Sequence, residues 1–428
     1  MEQLIEFFSF QDPSVLSVTL GAVLLTASSA VVGTFTLLKK KALVGDAVAH
    51  SVLPGICLAF LLSGTKSPVF LISGAFATGW ISLLLIDKIS MRSKLKEDTA
   101  IALILSVFFG LGILLLTYIQ HSGNAAQTGL DSFLFGKAAA LVGRDLLVFG
   151  IVAVVLILAV ALFFKELKLI AFDPAFARAL GLPVYGIDLL LTSLTVLAVV
   201  TGIQAVGVVL MAAMLITPAA AARFWTDNAL YMTMLAAALG ALSGLAGAFV
   251  SYTAPAMPTG PWIVMVVSVL AMLSFFFAPR RGIVSRWFQQ RQLQHTILDE
   301  NVLKALYHLG EADKDMFRDR SLAQIIDRRF FPRRPLRRAL QRLQRRKLVQ
   351  RQNGTWRFTK AGQQKGQRMV RLHRLWELYL SRYLKIAPDH VHEDAETIEH
   401  ILTPELEREL ARQLDFPDKD PHQSKIPS

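Results

Sequence analysis

Apolar residues fill the first two thirds of the chain in long runs and then thin into helical spacing. About nine runs within residues 1–278 approach the ~20 residues an α-helix needs to cross a bilayer. They fall at 15–38, 43–63, 68–87, 99–119, 145–164, 184–203, 204–222, 229–251 and 261–278. The sixth and seventh almost touch, so eight or ten spans fit the same pattern. Small residues recur within them: Gly21, Ala27, Ser28, Ser29, Ala30 and Gly33, then Gly240, Ser243, Gly244 and Gly247. In lipid such residues let helices approach closely, which predicts a compact bundle, although generic use of small residues would look the same. Pro54-Gly55, Pro218 and the group Pro255, Pro258, Gly260 and Pro261 interrupt several spans. A broken helix is tolerated in a membrane only where protein or a cavity satisfies its backbone, so these breaks point to a transport path.

Beyond residue 278 the periodicity changes. A basic helical linker is expected over 279–298. Residues 299–366 then read as three helices and a hairpin. Leu303, Leu306, Tyr307 and Leu309 give the first helix an apolar face, and Leu322, Ile325 and Ile326 the second. The third, over 335–347, buries Leu336, Leu340 and Leu343 and exposes Arg337, Arg338, Arg342, Arg345 and Arg346. Leu348-Val349 and Trp356-Arg357-Phe358-Thr359 flank Gln352-Asn353-Gly354, an Asn-Gly hairpin signal. That order describes a winged helix-turn-helix. Residues 367–428 form a further helical module. The expected fold is therefore an all-α polytopic membrane domain followed by a winged helix-turn-helix and a helical metal-binding and dimerisation domain.

Composition sharpens the division. The chain is 53% hydrophobic and 18% charged, with a formal net charge of +13. That charge divides into +1 over residues 1–278, +15 over 279–366 and −3 over 367–428. The split excludes a single globular domain and a disordered chain. Cys57 is the only cysteine, which excludes a disulfide framework and a thiolate metal cluster. The opening stretch carries two glutamates and no basic residue, so no short cleavable signal peptide is expected. Basic residues mark every second connection: Lys39–Lys41, then Lys88 to Lys96, then Lys165, Lys168 and Arg178, then Arg223, then Arg280 and Arg281. The intervening connections hold only Lys66, Lys137 and Arg144. The positive-inside rule then predicts an external N-terminus and a cytoplasmic tail.

Three groups of residues carry candidate chemistry. Asp46 and His50 are spaced by four, on one helical face inside an apolar run, where they could share a divalent cation or a proton. Equally, Asp46 could be a helix-end charge and His50 a buried hydrogen-bonder. Second, Asp173-Pro174 opens a short helical segment running to Gly181, an N-cap followed by proline in the first turn. Third, the tail carries His373 and Glu377 spaced by four, and then His392, Glu396, Glu399 and His400 on one face of another helix. Imidazoles and carboxylates without thiolates suit Mn(II), Fe(II), Co(II) or Zn(II). A solvated helix with incidental histidines would show the same letters. The basic winged unit could neutralise DNA phosphates, yet anionic lipid also attracts such surfaces. No Gly-x-x-x-x-Gly-Lys-Ser/Thr phosphate loop occurs, so ATP is not bound in that way by this chain.

The stretch Gly45-Asp46-Ala47-Val48-Ala49-His50-Ser51-Val52-Leu53-Pro54-Gly55 resembles the second-helix signature of the ABC-3 family, the ABC-type zinc, manganese and iron importer permeases. The resemblance continues through Glu97–Ala102, Leu134-Phe135-Gly136, Phe172–Gly181, Gln204–Gly207, Leu215–Ala220 and Pro258–Pro261. It implies that Asp46 and His50 handle the ion along the path, and that Asp173, Pro174, Ala177 and Gly181 belong to a coupling helix docking on a separate ATPase, unless that segment is a simple connector. A docked ATPase also becomes an acidic partner for the arginines of the winged unit. Residues 299–428 in turn resemble the metal-dependent DtxR/MntR repressors, through Leu372–Glu377 and Val391–His400. That likeness puts His373, Glu377, His392, Glu396, Glu399 and His400 at ligand positions, with Glu396 in place of cysteine as in the manganese branch. It also exposes a departure. Where the first helix of that branch supplies acidic ligands, this chain has Asn301 and Lys304, and a protonated lysine repels a cation. A His373, Glu377 and His392 site survives that objection best.

Together these readings predict a multi-pass permease of the bacterial inner membrane that imports manganese, zinc or iron and is not itself an enzyme. Its expected partners are an ABC ATPase that hydrolyses ATP, an extracytoplasmic metal-binding protein, and a second permease, identical or paralogous. Its tail would sense cytoplasmic metal. The alternative is a membrane-tethered, metal-dependent DNA-binding repressor. A metal–proton antiporter without an ATPase is disfavoured by the coupling segment.

Overall fold

The computed structural model describes residues 2–9, 11–65, 68–121, 143–254, 257–384, 404–422 and 424–427. The Leu134-Phe135-Gly136 motif and the candidate ligands His392, Glu396, Glu399 and His400 lie outside the described residues. The chain divides into two compact units, Met1–Arg286 and Trp287–Ser428.

In the first unit, α1 (Glu2–Ser9) precedes α2 (Pro13–Leu38), and the second apolar run becomes two short helices, α3 (Val44–Ser51) and α4 (Leu53–Ser63). Then come α5 (Pro68–Arg92), α6 (Glu97–His121), α7 (Gly143–Leu162), α8 (Phe164–Phe172) and α9 (Pro174–Ala179). The unit closes with α10 (Val184–Val206), α11 (Val208–Arg223), α12 (Ala229–Thr253) and α13 (Thr259–Phe277). α2 is the hub, packing against α7, α10, α11 and α12. Small residues make this packing close. A Cβ on Gly240 of α12 would lie 2.7 Å from the Thr26 carbonyl oxygen, and one on Gly244 would lie 2.9 Å from that of Ala22. The hydroxyls of Thr26, Ser28 and Thr34 donate to carbonyls one turn back at 2.9, 2.7 and 2.9 Å, so these polar side chains are satisfied inside the bundle.

Eight helical stretches among the described residues are long and apolar enough to cross a membrane, Val44–Ser63 counting as one. The run expected at 204–222 instead yields the 16-residue α11, roughly 24 Å long and short of a ~30 Å hydrocarbon core. Gly207, at φ +86°, separates α10 from α11 in a conformation that a side chain would disfavour. α11 buries Met211, Met214, Leu215, Ala219, Ala221 and Ala222, so protein rather than lipid surrounds it. Ion pairs tie the basic connections to neighbouring segments: Lys39 to Asp188, Lys41 to Asp87 at 3.0 Å, and Arg281 to Asp227 in the turn before α12.

The second unit is built on α14 (Ile283–Asp313), α15 (Leu322–Arg328), α16 (Arg333–Arg345), a β1–β2 hairpin (Val349–Gln352 and Thr355–Phe358), α17 (Lys360–Tyr383) and α18 (Pro404–Gln413). The expected linker and first helix are one element, α14. A capping box between Ser321 and Gln324 starts α15. The hairpin pairs antiparallel with Val349 opposite Phe358, and Asn353 and Gly354 both take positive φ, as its two-residue turn requires. Leu303, Leu306, Ile325, Leu336, Leu340, Leu343, Trp356 and Phe358 close one core, matching the predicted apolar faces. Leu375, Leu410, Leu414 and Ile426 close another between α17 and α18.

Candidate metal-handling and coupling sites

Asp46 lies in the first turn of α3 and His50 in the last. Their side chains meet, with His50 Nε2 3.5 Å from Asp46 Oδ1. Ala47, Val48 and Ala49 between them are fully buried, which fixes the face on which the pair stands. Pro54 follows His50 by four residues, so the N–H that would bond the His50 carbonyl is missing and the helix breaks at Val52. Phe109 of α6 packs edge-on against the imidazole at 5.0 Å between centroids. His50 Nδ1 is buried and finds no hydrogen-bond partner among the described residues, while the Asp46 side chain is 45% exposed. Carboxylate and imidazole are donor types that suit a divalent first-row ion, but two donors are only part of a coordination shell.

The segment from Phe172 to Gly181 folds as expected. Asp173 caps α9, its Oδ1 accepting from Phe176 N at 2.9 Å, Pro174 occupies the first turn, and Gly181 follows at φ +78°. Ala177 of this segment is completely buried, so it seats α9 on the bundle and is not part of its exposed surface. The outward surface is made instead by Phe172, Phe176 and Leu180, which are 56%, 52% and 58% exposed. Their spacing of four was the available signal, hidden in a sequence where apolar residues are everywhere.

In the tail, His373 and Glu377 are brought together on α17, Nε2 lying 3.0 Å from Glu377 Oε1. Lys304 of α14 joins them, with Nζ 3.0 Å from His373 Nδ1. Asn301, one turn earlier, accepts a hydrogen bond from Arg329 at 3.3 Å. With Lys304 in place, the described residues of this centre do not fit a divalent cation, because both imidazole nitrogens are engaged. Among the described residues no group of three or more His, Cys, Asp or Glu could hold a metal ion. The lysine thus bears directly on His373, a member of the His373, Glu377 and His392 site that the sequence left as surviving best.

The arginines of α16 divide. Arg337, Arg338 and Arg345 are exposed. Arg342 is not free for a partner: its guanidinium binds the buried Asp299 of α14, with Nη2 2.6 Å from Oδ1, and Arg346 approaches the same carboxylate at 3.6 Å. A partly buried ion-pair cluster escaped the sequence reading. Arg374 donates to both oxygens of Glu311 at 2.9 and 2.7 Å and lies 3.5 Å from Asp420, and His308 Nδ1 is 3.4 Å from Glu311 Oε2. These bonds hold the Glu311 carboxyl below its ordinary range, and burial pushes His308 down to about 4. The i,i+3 spacing of His308 and Glu311 was visible, but only the fold supplies Arg374.

Residues 359–428 match the iron-dependent repressor metal-binding and dimerisation domain. The chain is 43% identical to the manganese transport system membrane protein MntC of Bacillus subtilis, over 89% of this chain and 87% of that protein. It is 42% identical to the zinc transport system membrane protein TroC of Treponema pallidum, over 66% of this chain and 95% of that one. Among solved structures, PsaBC from Streptococcus pneumoniae in complex with Fab superposes with a TM-score of 0.59 at 32% identity, over 67% of this chain and 99% of that one. Helices α2 to α13 fall within residues 11–278, which match the ABC 3 transport family throughout, and the chain belongs to that family.

Proposed function

We propose that the chain is the membrane subunit of an ATP-driven importer of manganese or zinc, with ATP hydrolysis on a separate polypeptide and no enzymatic step of its own. The observation that carries this reading is the Asp46–His50 pair, set on one face of a helix broken at Pro54 within a bundle of the ABC 3 family. The ion would pass between two copies, or two paralogues, of the subunit after delivery by an external binding protein, and Asp46 and His50 would line or gate its route. The α9 knob would take up the ATPase stroke. The alternating basic connections favour an external N-terminus and a cytoplasmic tail in a bacterial inner membrane.

Uptake of radioactive manganese and zinc by cells whose own importer is deleted tests the assignment. Asp46→Ala and His50→Ala are each expected to lower uptake roughly tenfold or more at an unchanged level of protein in the membrane. Unchanged uptake by both variants refutes the route.

A second reading concerns the tail, whose match to the repressor domain favours a cytoplasmic metal sensor that restrains transport. A tethered DNA-binding repressor draws on the exposed Arg337, Arg338 and Arg345, but the engagement of Arg342 by Asp299 takes one arginine from that basic surface.

A further inference from the structure

The centre between α14 and α17 contains a buried lysine. Lys304 is 4% exposed, and an ammonium at that depth requires a polar partner. Its Nζ is 3.0 Å from His373 Nδ1. An ammonium only donates, so Nδ1 accepts, and the ring proton of the neutral imidazole resides on Nε2. Nε2 in turn faces Glu377 Oε1 at 3.0 Å. The result is a buried chain from a positive to a negative group through a neutral ring, in which neither imidazole nitrogen retains a lone pair for a metal. The neighbouring helix reinforces the point. Asn301 turns its amide oxygen to Arg329, so the two α14 positions that the repressor resemblance assigns to acidic ligands supply an ammonium and an amide.

We propose that Lys304 is the resident cation of the tail, standing in for a divalent metal at His373, and that a metal ion reaches His373 only by expelling it. Because the ammonium is tethered to α14, it is present at a fixed, high local concentration that no change in the cell dilutes. Metal binding at Nδ1 must therefore break the buried hydrogen bond from Lys304 and displace its charge, while the Nε2 bond to Glu377 can persist, and this raises the metal concentration at which the centre fills. The regulatory consequence, a sensor with a high threshold, rests on the reading of the tail as a sensor, whereas the occupancy by Lys304 does not.

The test is Mn(II) binding to the full-length protein in lipid nanodiscs, followed by electron paramagnetic resonance. Each protein is compared with its own His373→Ala counterpart, so that ions bound elsewhere cancel. Lys304→Ala and the near-isosteric Lys304→Gln should each gain a His373-dependent site at least roughly tenfold tighter than wild type, while Lys304→Arg should remain as weak as wild type. Near-UV circular dichroism identifies a variant that has lost its fold, and the glutamine variant then decides. Equal His373-dependent affinity in wild type and both neutral variants overturns the proposal. So does the absence of any His373-dependent site in a folded neutral variant. Tighter binding by the neutral variants without any metal response of transport in cells would uphold the resident lysine and sink the sensor reading alone.

Discussion

Burial decides what single residues do in the second unit. His308 is pushed down to about 4, first by burial and then by the charges of Arg374 and Arg328, against the pull of Glu311. Between its ordinary 6.5 and about 4, the unfolded chain binds a proton that the folded chain refuses. Stability therefore falls as pH drops through that window. Glu311, held low chiefly by its hydrogen bonds to Arg374, adds a further loss below its ordinary 4.5. Taking the second unit from pH 7 to pH 5 is expected to cost about 2 kcal/mol through His308. His308→Gln should remove most of that difference, as read from thermal unfolding of the full-length protein at the two pH values. A variant as pH-sensitive as wild type would assign the effect elsewhere. At this scale the sequence showed residue types and spacings, such as His373 with Glu377, but could not show that Lys304 touches one of them. Sixty-nine residues separate Lys304 from His373, and only packing of α14 on α17 joins them.

Elements are held by a few local devices. α9 has only six residues, too few to be stable alone, and it persists because Asp173 caps it, Pro174 starts it and Ala177 anchors it. Asp173→Ala should loosen it by about 1 kcal/mol. Its exposed Phe176 and Leu180 form an apolar knob, and a charge there should prevent docking. Phe176→Asp is expected to cut metal uptake roughly tenfold or more and to weaken co-purification of the ATPase, with the membrane domain still folded. Normal uptake would leave α9 a connector. The helices themselves were legible from apolar runs, the winged unit from its periodicity and its Asn-Gly turn. The shortness of α11 was not, because Gly207 breaks an apolar stretch without changing its hydropathy.

For the molecule as a whole, the net charge of +13 is concentrated in residues 279–366. Part of that charge is withdrawn from the surface, since the buried Asp299 engages Arg342, and Asp313 engages the buried Arg320. If the tail restrains import, a protein ending at Ala278 should transport as wild type does when metal is scarce and exceed it when metal is plentiful. Manganese uptake in cells grown at both levels measures this, and identical responses of the two proteins remove the regulatory role. Binding of the 299–428 segment to its own promoter with a steep salt dependence would instead favour the repressor.

Apolar runs, alternating basic connections and ordered motifs follow from local chemistry: hydropathy sets which segments can enter lipid, and spacing of four sets which side chains share a helical face. From these alone came the membrane bundle, the winged unit, the Asp46–His50 pair and the capped segment over 172–181. Tertiary structure alone decided which of those residues are accessible and which are engaged. It buried Ala177, exposed Phe176 and Leu180, and tied Arg342 to Asp299. It also brought the Lys304 ammonium onto His373. The physical reason is that hydrogen bonds and ion pairs between distant segments depend on how helices pack, and one-dimensional periodicity records the face a residue shares, not the neighbour it meets there.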